Sequence, residues 1–360
     1  MKTLVTLLLT SLSIFAYAGI ITVDNCVGSG ADYTSIGAAV SAASNGDTIY
    51  IHPSSVSYGN VNVNKQLVLI GPGHYPEYTG GTGATLNEIS LLTGSTGTVL
   101  TGLKITRIDC DIWQLVNDIT ISNNYLAGAG QISGAGGDGA GSNNWLIEGN
   151  VIIEEEGCGG CVVINLGGGG LGPSSNWIFR NNFIQTKASN STHLFANLNS
   201  TAIIENNIIF HRNTQPIFQT SVSGAEFRNN IFWASNSGFS DFTLNANNVL
   251  FMNNITFHSN GTLVVLPGTD NIDNTDPEFV SAGTNPTWSY DKDYAISSTS
   301  PAHNAGTDGT DLGIYGANFP FRMEGYPQDF PRLQWFQVSN TVVPQGGTLE
   351  INLKAVRAGL

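Results

Sequence analysis

ITISNNYL (119–126), WLIEGNVI (145–152), WIFRNNFI (177–184), AIIENNII (202–209), AEFRNNIF (225–232) and VLFMNNIT (249–256) are one phrase repeated. The pattern is apolar-apolar-x-Asn-Asn-apolar-apolar. Its second Asn stands at Asn124, Asn150, Asn182, Asn207, Asn230 and Asn254, and an earlier copy, VLTGLKI, puts Gly102 in the same slot. Leucine-rich repeats of similar length need a Leu-x-x-Leu-x-Leu consensus, and propeller blades need about 40 residues or more. A coil of three short strands joined by turns fits about 25 residues, and stacking such coils about 4.8 Å apart pairs their strands in parallel. Asn suits the sharp turn because it tolerates the left-handed backbone conformation. In register, its side-chain amides can also hydrogen-bond from coil to coil.

Stacking turns each offset from the ladder Asn into a column. Three places before it stand Ile121, Ile147, Phe179, Ile204, Phe227 and Phe251, and two places after it Leu126, Ile152, Ile184, Ile209 and Phe232. Both columns are expected in the core. Two places before it, Glu148, Arg180, Glu205 and Arg228 alternate in charge, which predicts a register-fixing ion-pair ladder on the surface.

Composition agrees with this architecture. Among 360 residues there are 43 Gly and, by count, 38 Asn, but only 11% are charged. A usual domain carries about a quarter. Hydrophobic residues at 41% provide a large core, and no long Ala/Glu/Lys/Leu/Arg stretches suggest helical bundles. A formal charge of −14 argues against nucleic acid, which needs Lys/Arg patches.

The chain resembles the right-handed parallel β-helix proteins of the pectin-lyase-like superfamily over nearly its whole length after residue 18. YTSIGAAVSAASNGDTIYIHPSSVSYGNVNVNKQLVLIGPG (33–73) is similar to that family's opening, with Ile36, Ala39, Val40 and Ala43 on one face of an end-capping helix. DPEFV (276–280) and SPAHNAGTDGTDLGIYG (300–316) resemble the closing coils of secreted bacterial members. The resemblance implies an all-β solenoid, export from a bacterial cell and a polysaccharide partner. The Trp-Ile-Asp-His and Arg-x-Pro-x-x-Arg runs of pectate lyases are missing. So are the Asn-Thr-Asp, Asp-Asp, Gly-His-Gly and Arg-Ile-Lys motifs of polygalacturonase-like hydrolases. No family catalytic residue therefore transfers to a position here.

One region could still support chemistry. Four and five places after the ladder Asn, Glu154 and Glu155 are expected beside Thr186 and Lys187, then His211 and Arg212, with Glu156 and His193 close by in sequence. Carboxylates as ligands with Lys187, Arg212 or His211 as base would suit proton abstraction from a uronate. The competing reading is a surface charge column. Asp270, Asp273 and Asp276 offer oxygen ligands to Ca2+, although EF-hand spacing is absent and turn-forming Asx residues explain the cluster equally.

Residues 1–18, MKTLVTLLLTSLSIFAYA, have the form of a signal peptide: Lys2, an apolar run from Leu4 to Phe15, and Ala16-Tyr17-Ala18 for cleavage. No later apolar run is long enough to span a membrane. Cys26, Cys110, Cys158 and Cys161 permit two disulfides, and Cys158-Gly-Gly-Cys161 suits a structural staple. Two Gly-rich insertions, 127–144 and 166–176, project from adjacent coils and lack the Lys of a phosphate loop. The β-helix is expected over 19–316, and 317–360 predicts two strands and a turn acting as a cap or tail. The expected function is glycan or surface-partner binding along the elongated face. A polysaccharide lyase and a structural assembly protein are the alternatives.

Overall fold

The computed structural model describes residues 18–110, 114–128, 132–134, 141–155, 162–167, 174–188, 192–219, 222–319, 321–327, 331–338 and 342–357. Residues 1–17 of the leader, Glu156, Cys158 and Cys161 lie outside them, as do the centres of both Gly-rich insertions.

The chain winds into a right-handed parallel β-helix. Among the described residues, one sheet stacks ten short strands in parallel, from Ile20–Val23 through Thr120–Ser122, Leu146–Glu148, Ile178–Arg180, Ile203–Glu205 and Glu226–Arg228 to Leu250–Met252. A twelve-stranded sheet takes the next side of each coil. It forks at the long strand Lys104–Cys110, which pairs its start with Tyr125–Gly128 and its end with Ile132–Gly134. From that coil onward a turn divides one long strand into two.

The inward columns form the core as their periodicity predicts. Ile121, Ile147, Phe179, Ile204, Phe227 and Phe251 are buried, as are Leu126, Ile152, Ile184, Ile209 and Phe232. Trp145 and Trp177 stack with centroids 4.4 Å apart. Their indole N–H groups donate to the carbonyls of Val116 and Ser142, which satisfies the polar edge of a buried ring. The helix α1, Ile36–Ala42, buries Ile36, Ala39 and Val40 over the first coils. Lys65 Nζ donates to the carbonyls of Val40, Ser41 and Ala43 and so closes its C-terminal end.

The Asn ladder runs unbroken. Each Nδ2 donates to the next Oδ1 from Asn124 through Asn150, Asn182, Asn207 and Asn230 to Asn254, at 2.9–3.1 Å. Asn254 continues it to Asn271, a rung outside the repeated phrase. At the other end the slot belongs to Leu103 rather than Gly102. The Leu103 backbone N–H donates to Asn124 Oδ1, while Gly102 holds a left-handed φ of 69°. The two Asn positions divide the work. The first of each pair (Asn123, Asn181, Asn206, Asn229 and Asn253, with Gly149 once) takes the positive φ, and the second makes the ladder.

The largest departure from expectation follows residue 275. The segment 300–316 does not add coils. The chain turns and runs back over the outer surface as a strap. Ala305 O accepts from Asn253 Nδ2, and Thr307 exchanges hydrogen bonds with the Asn229 side chain. Asn181 Nδ2 donates to the carbonyls of Ile314 and Gly316. Phe319 lies under Arg180, and Glu324 O accepts from His74 N. The strap buries Ala302, Leu312, Ile314 and Phe321 against Val151, Phe183, Ile208 and Ile231, which face outward from the coils. Strands such as Val151–Glu154, Ile208–His211 and Ile231–Ala234 are consequently buried on both faces. The expected boundary at residue 316 falls within this strap. Beyond it, Pro331–Val338 and Ile351–Arg357 form an antiparallel pair that hydrogen-bonds to no other strand among the described residues.

Candidate functional site

The stacked coils place Glu154, Thr186 and His211 in one row and Glu155, Lys187 and Arg212 in the next, as their spacing predicts. The side chains divide between inside and outside. Glu154 is buried and its Oε2 accepts from the Lys187 backbone N–H at 2.9 Å. His211 is also buried. Its Nε2 lies 2.8 Å from the carbonyl of Gln215, its Nδ1 lies 3.4 Å from Thr186 Oγ1, and its ring packs on Phe239. Burial pulls its pKa down to about 4, so the ring is neutral and serves the turn. His193 Nδ1 likewise contacts the carbonyl of Pro216.

Glu155, Lys187 and Arg212 remain accessible. Tyr125 Oη donates to Glu155 Oε1 at 3.0 Å, and Lys187 Nζ donates to the Glu155 carbonyl at 2.6 Å. The Arg212 guanidinium lies over the Phe210 ring and forms no carboxylate ion pair among the described residues; partial burial lowers its pKa.

The acidic stretch at 269–278 is built of turns. Asp270 takes a left-handed φ of 56° and continues the first-Asn column, ahead of the Asn271 rung. Asp273 Oδ1 accepts from Leu266 N, and Asp276 Oδ1 accepts from Glu278 N. Among the described residues no group of three or more His, Cys, Asp or Glu is placed to hold a metal ion. Two of these carboxylates instead serve the backbone, Asp273 at Leu266 and Asp276 within its own turn. Cys110 is buried against Ser142, and Cys26 is exposed.

A cleft that the repeat did not indicate lies on the same side of the molecule. Its volume is about 530 Å3, with one wall from residues 75–77 and the other from the loop 288–291. Tyr75 and Tyr290 meet edge to face at 5.2 Å, and Trp288 meets Tyr290 at 5.5 Å. Glu77 and Asp291 are exposed at its margin.

The aromatic wall is held from behind. Trp288 stacks on Tyr294 at 5.4 Å and 3°, and its backbone N–H donates to Gln185 Oε1. Lys292 Nζ donates to the Asn285 carbonyl and to both oxygens of Thr287, closing the loop on itself. Tyr290 Oη donates to the His74 carbonyl at 3.0 Å and lies 2.9 Å from His74 Nδ1. Because that hydroxyl hydrogen is already used, Nδ1 carries the proton and donates. Burial first, then the Lys104 charge, lowers the His74 pKa to about 3. Gly325, at φ 60°, lies so close to this ring that a Cβ would sit 2.1 Å from Cδ2. The strap therefore fixes His74, and His74 fixes Tyr290.

The cleft and the coil row are physically joined. The His74 ring lies 5.7 Å from that of Tyr125, whose hydroxyl holds Glu155, whose carbonyl holds Lys187. Sequence periodicity pointed to the coil row and missed the cleft, since both walls lie outside the repeat. The signal that was present is aromatic residues interleaved with acids in HYPEYT (74–79) and TWSYDKDY (287–294).

No protein-family model matches the chain, and no curated protein matches it. Among solved structures it is similar to one described as the crystal structure of pectate lyase Pel9A. The two are 13% identical, the match covers 83% of this chain and 96% of that chain, and the TM-score is 0.46. No residue role passes from one to the other.

Proposed function

We propose that this parallel β-helix is an exported glycan-binding protein whose contact surface centres on the cleft between residues 75–77 and 288–291. The observation that carries the reading is the pre-positioned Tyr75–Tyr290–Trp288 wall with carboxylates at its margin. Flat aromatic faces bury the C–H faces of sugar rings, and carboxylates accept hydroxyl hydrogen bonds. Holding that wall rigid in the unbound protein lowers the ordering cost of binding. Export rests on the leader-like residues 1–18, and secreted chains recovered after expression in a bacterial host should begin at Gly19.

Affinity electrophoresis against a panel of soluble polysaccharides provides the test. Retardation by at least one of them is expected. Tyr75→Ala and Trp288→Ala should each weaken it by about tenfold or more, the scale of a lost aromatic anchor. Binding to no glycan, or binding indifferent to both substitutions, ends this reading.

A second reading, uronate lyase, is favoured by one observation. Lys187 and Arg212 stand on adjacent coils, and Arg212 has no carboxylate partner among the described residues. An unsaturated uronate product, detected by its ultraviolet absorbance and lost in Lys187→Ala or Arg212→Ala, would establish it.

A further inference from the structure

The charges around the cleft distinguish among glycans. Among the described residues its walls contain two carboxylates, Glu77 and Asp291, and neither Lys nor Arg. Lys292, next in sequence to Asp291, turns its ammonium into the loop, where Asn285 and Thr287 occupy it. The remaining lining is Tyr75, Trp288 and Tyr290, with Pro76 and Ser289. An aromatic face flanked by carboxylates attracts a cation twice, through the ring quadrupole and through charge-assisted hydrogen bonds. A uronate there would meet two like charges and no Lys or Arg side chain in the described lining, and the chain as a whole carries a formal charge of −14.

Resting on the glycan-binding reading, we infer that the cleft selects a saccharide bearing a protonated amine, an amino sugar. The pyranose ring packs into the corner between Trp288 and Tyr290, whose planes stand 78° apart. The ammonium faces Glu77 and Asp291, each of which accepts one of its hydrogens. Neutral sugars keep the stacking and lose the charge. Acidic sugars keep the stacking and meet repulsion.

The test is calorimetric titration of the full chain, just below neutral pH and at low salt, with three probes. These are short β-1,4-linked glucosamine oligomers, their fully N-acetylated counterparts, and oligogalacturonate. The glucosamine oligomers should bind about tenfold tighter than the acetylated ones, the scale of one charge-assisted hydrogen bond, and oligogalacturonate should bind weakest. Raising the salt to about 1 M, where the screening length falls to about 3 Å, should remove most of the preference. Glu77→Gln with Asp291→Asn should abolish it, bringing affinity for the glucosamine oligomers level with that for the acetylated ones. Both residues are exposed, so the fold should survive, with an unchanged melting temperature as the control.

Equal affinity for free and acetylated amines would overturn the inference and leave glycan binding intact. So would a preference that survives the double substitution. Tightest binding of oligogalacturonate would transfer the site to the Lys187–Arg212 row. If no probe binds and the wider polysaccharide panel is also silent, the glycan-binding reading itself fails.

Discussion

The coil stack and the strap laid over it use the same residue type in opposite ways. Inside, Asn124 to Asn254 bond to one another, each amide both donor and acceptor, so the repeat satisfies itself. Outside, Asn181, Asn229 and Asn253 hold the turn with a left-handed φ and offer their side chains to a segment up to 135 residues away in sequence. A periodic element closes its own hydrogen bonds. An aperiodic one must find partners that the periodic element leaves over. The turn Asn residues are those partners, and the outward Val151, Phe183, Ile208 and Ile231 supply the apolar surface.

The contrast predicts different failures. Replacing Asn207 or Asn230 with Leu strands neighbouring buried amides and should cost about 2–4 kcal/mol per site. The whole stack should then melt earlier, which thermal denaturation followed by circular dichroism would reveal. An unchanged melting temperature would mean that the ladder contributes nothing.

Acidification tests both regions at once. His211 belongs to the coils and His74 supports the strap, and both are buried neutral with pKa values near 4 and 3. Unfolded His titrates near 6.5, so below that pH the unfolded chain takes up protons that the folded one refuses. Their contribution is complete above about pH 6.5 and declines as pH falls toward 4 and 3. For His211 the loss is on the order of 3 kcal/mol between pH 7 and 4. His211→Gln should flatten that part of the stability profile, and an unaltered slope would show that His211 does not govern it.

Asn181→Ala removes two hydrogen bonds to the strap and should cost roughly 1–3 kcal/mol, locally. Hydrogen exchange should quicken over 303–327 and remain unchanged along the ladder. Equal acceleration in both would erase the distinction between them. Smallest of all, Glu226→Gln breaks the 2.6 Å contact with Arg228 at a half-exposed site. It should shift stability by only about 0.2–1 kcal/mol, and less in high salt.

The charge ladder illustrates how much a repeat reveals. Arg180–Glu148 and Arg228–Glu205 pair at 2.6 Å, as their alternation predicts, because stacking in register makes neighbours of residues one period apart. The same rule brought Glu154, Glu155, Lys187, His211 and Arg212 together. It could not say which would be buried, since that depends on how the strand end turns. Gly102 was misplaced by one residue because a backbone N–H fills an Asn slot without any sequence signal.

The sequence by itself determined the winding, the core columns, the ladder and the paired charges, since all follow from one period and nearest-neighbour stacking. Tertiary structure alone decided the strap, the burial of His74 and the cleft. Their contacts join 74 to 290 and 181 to 314, across distances that no local pattern spans. The acidic, aromatic stretches around residues 75 and 288 are ordinary loops in sequence. They become one surface only when the chain folds back over its own coils.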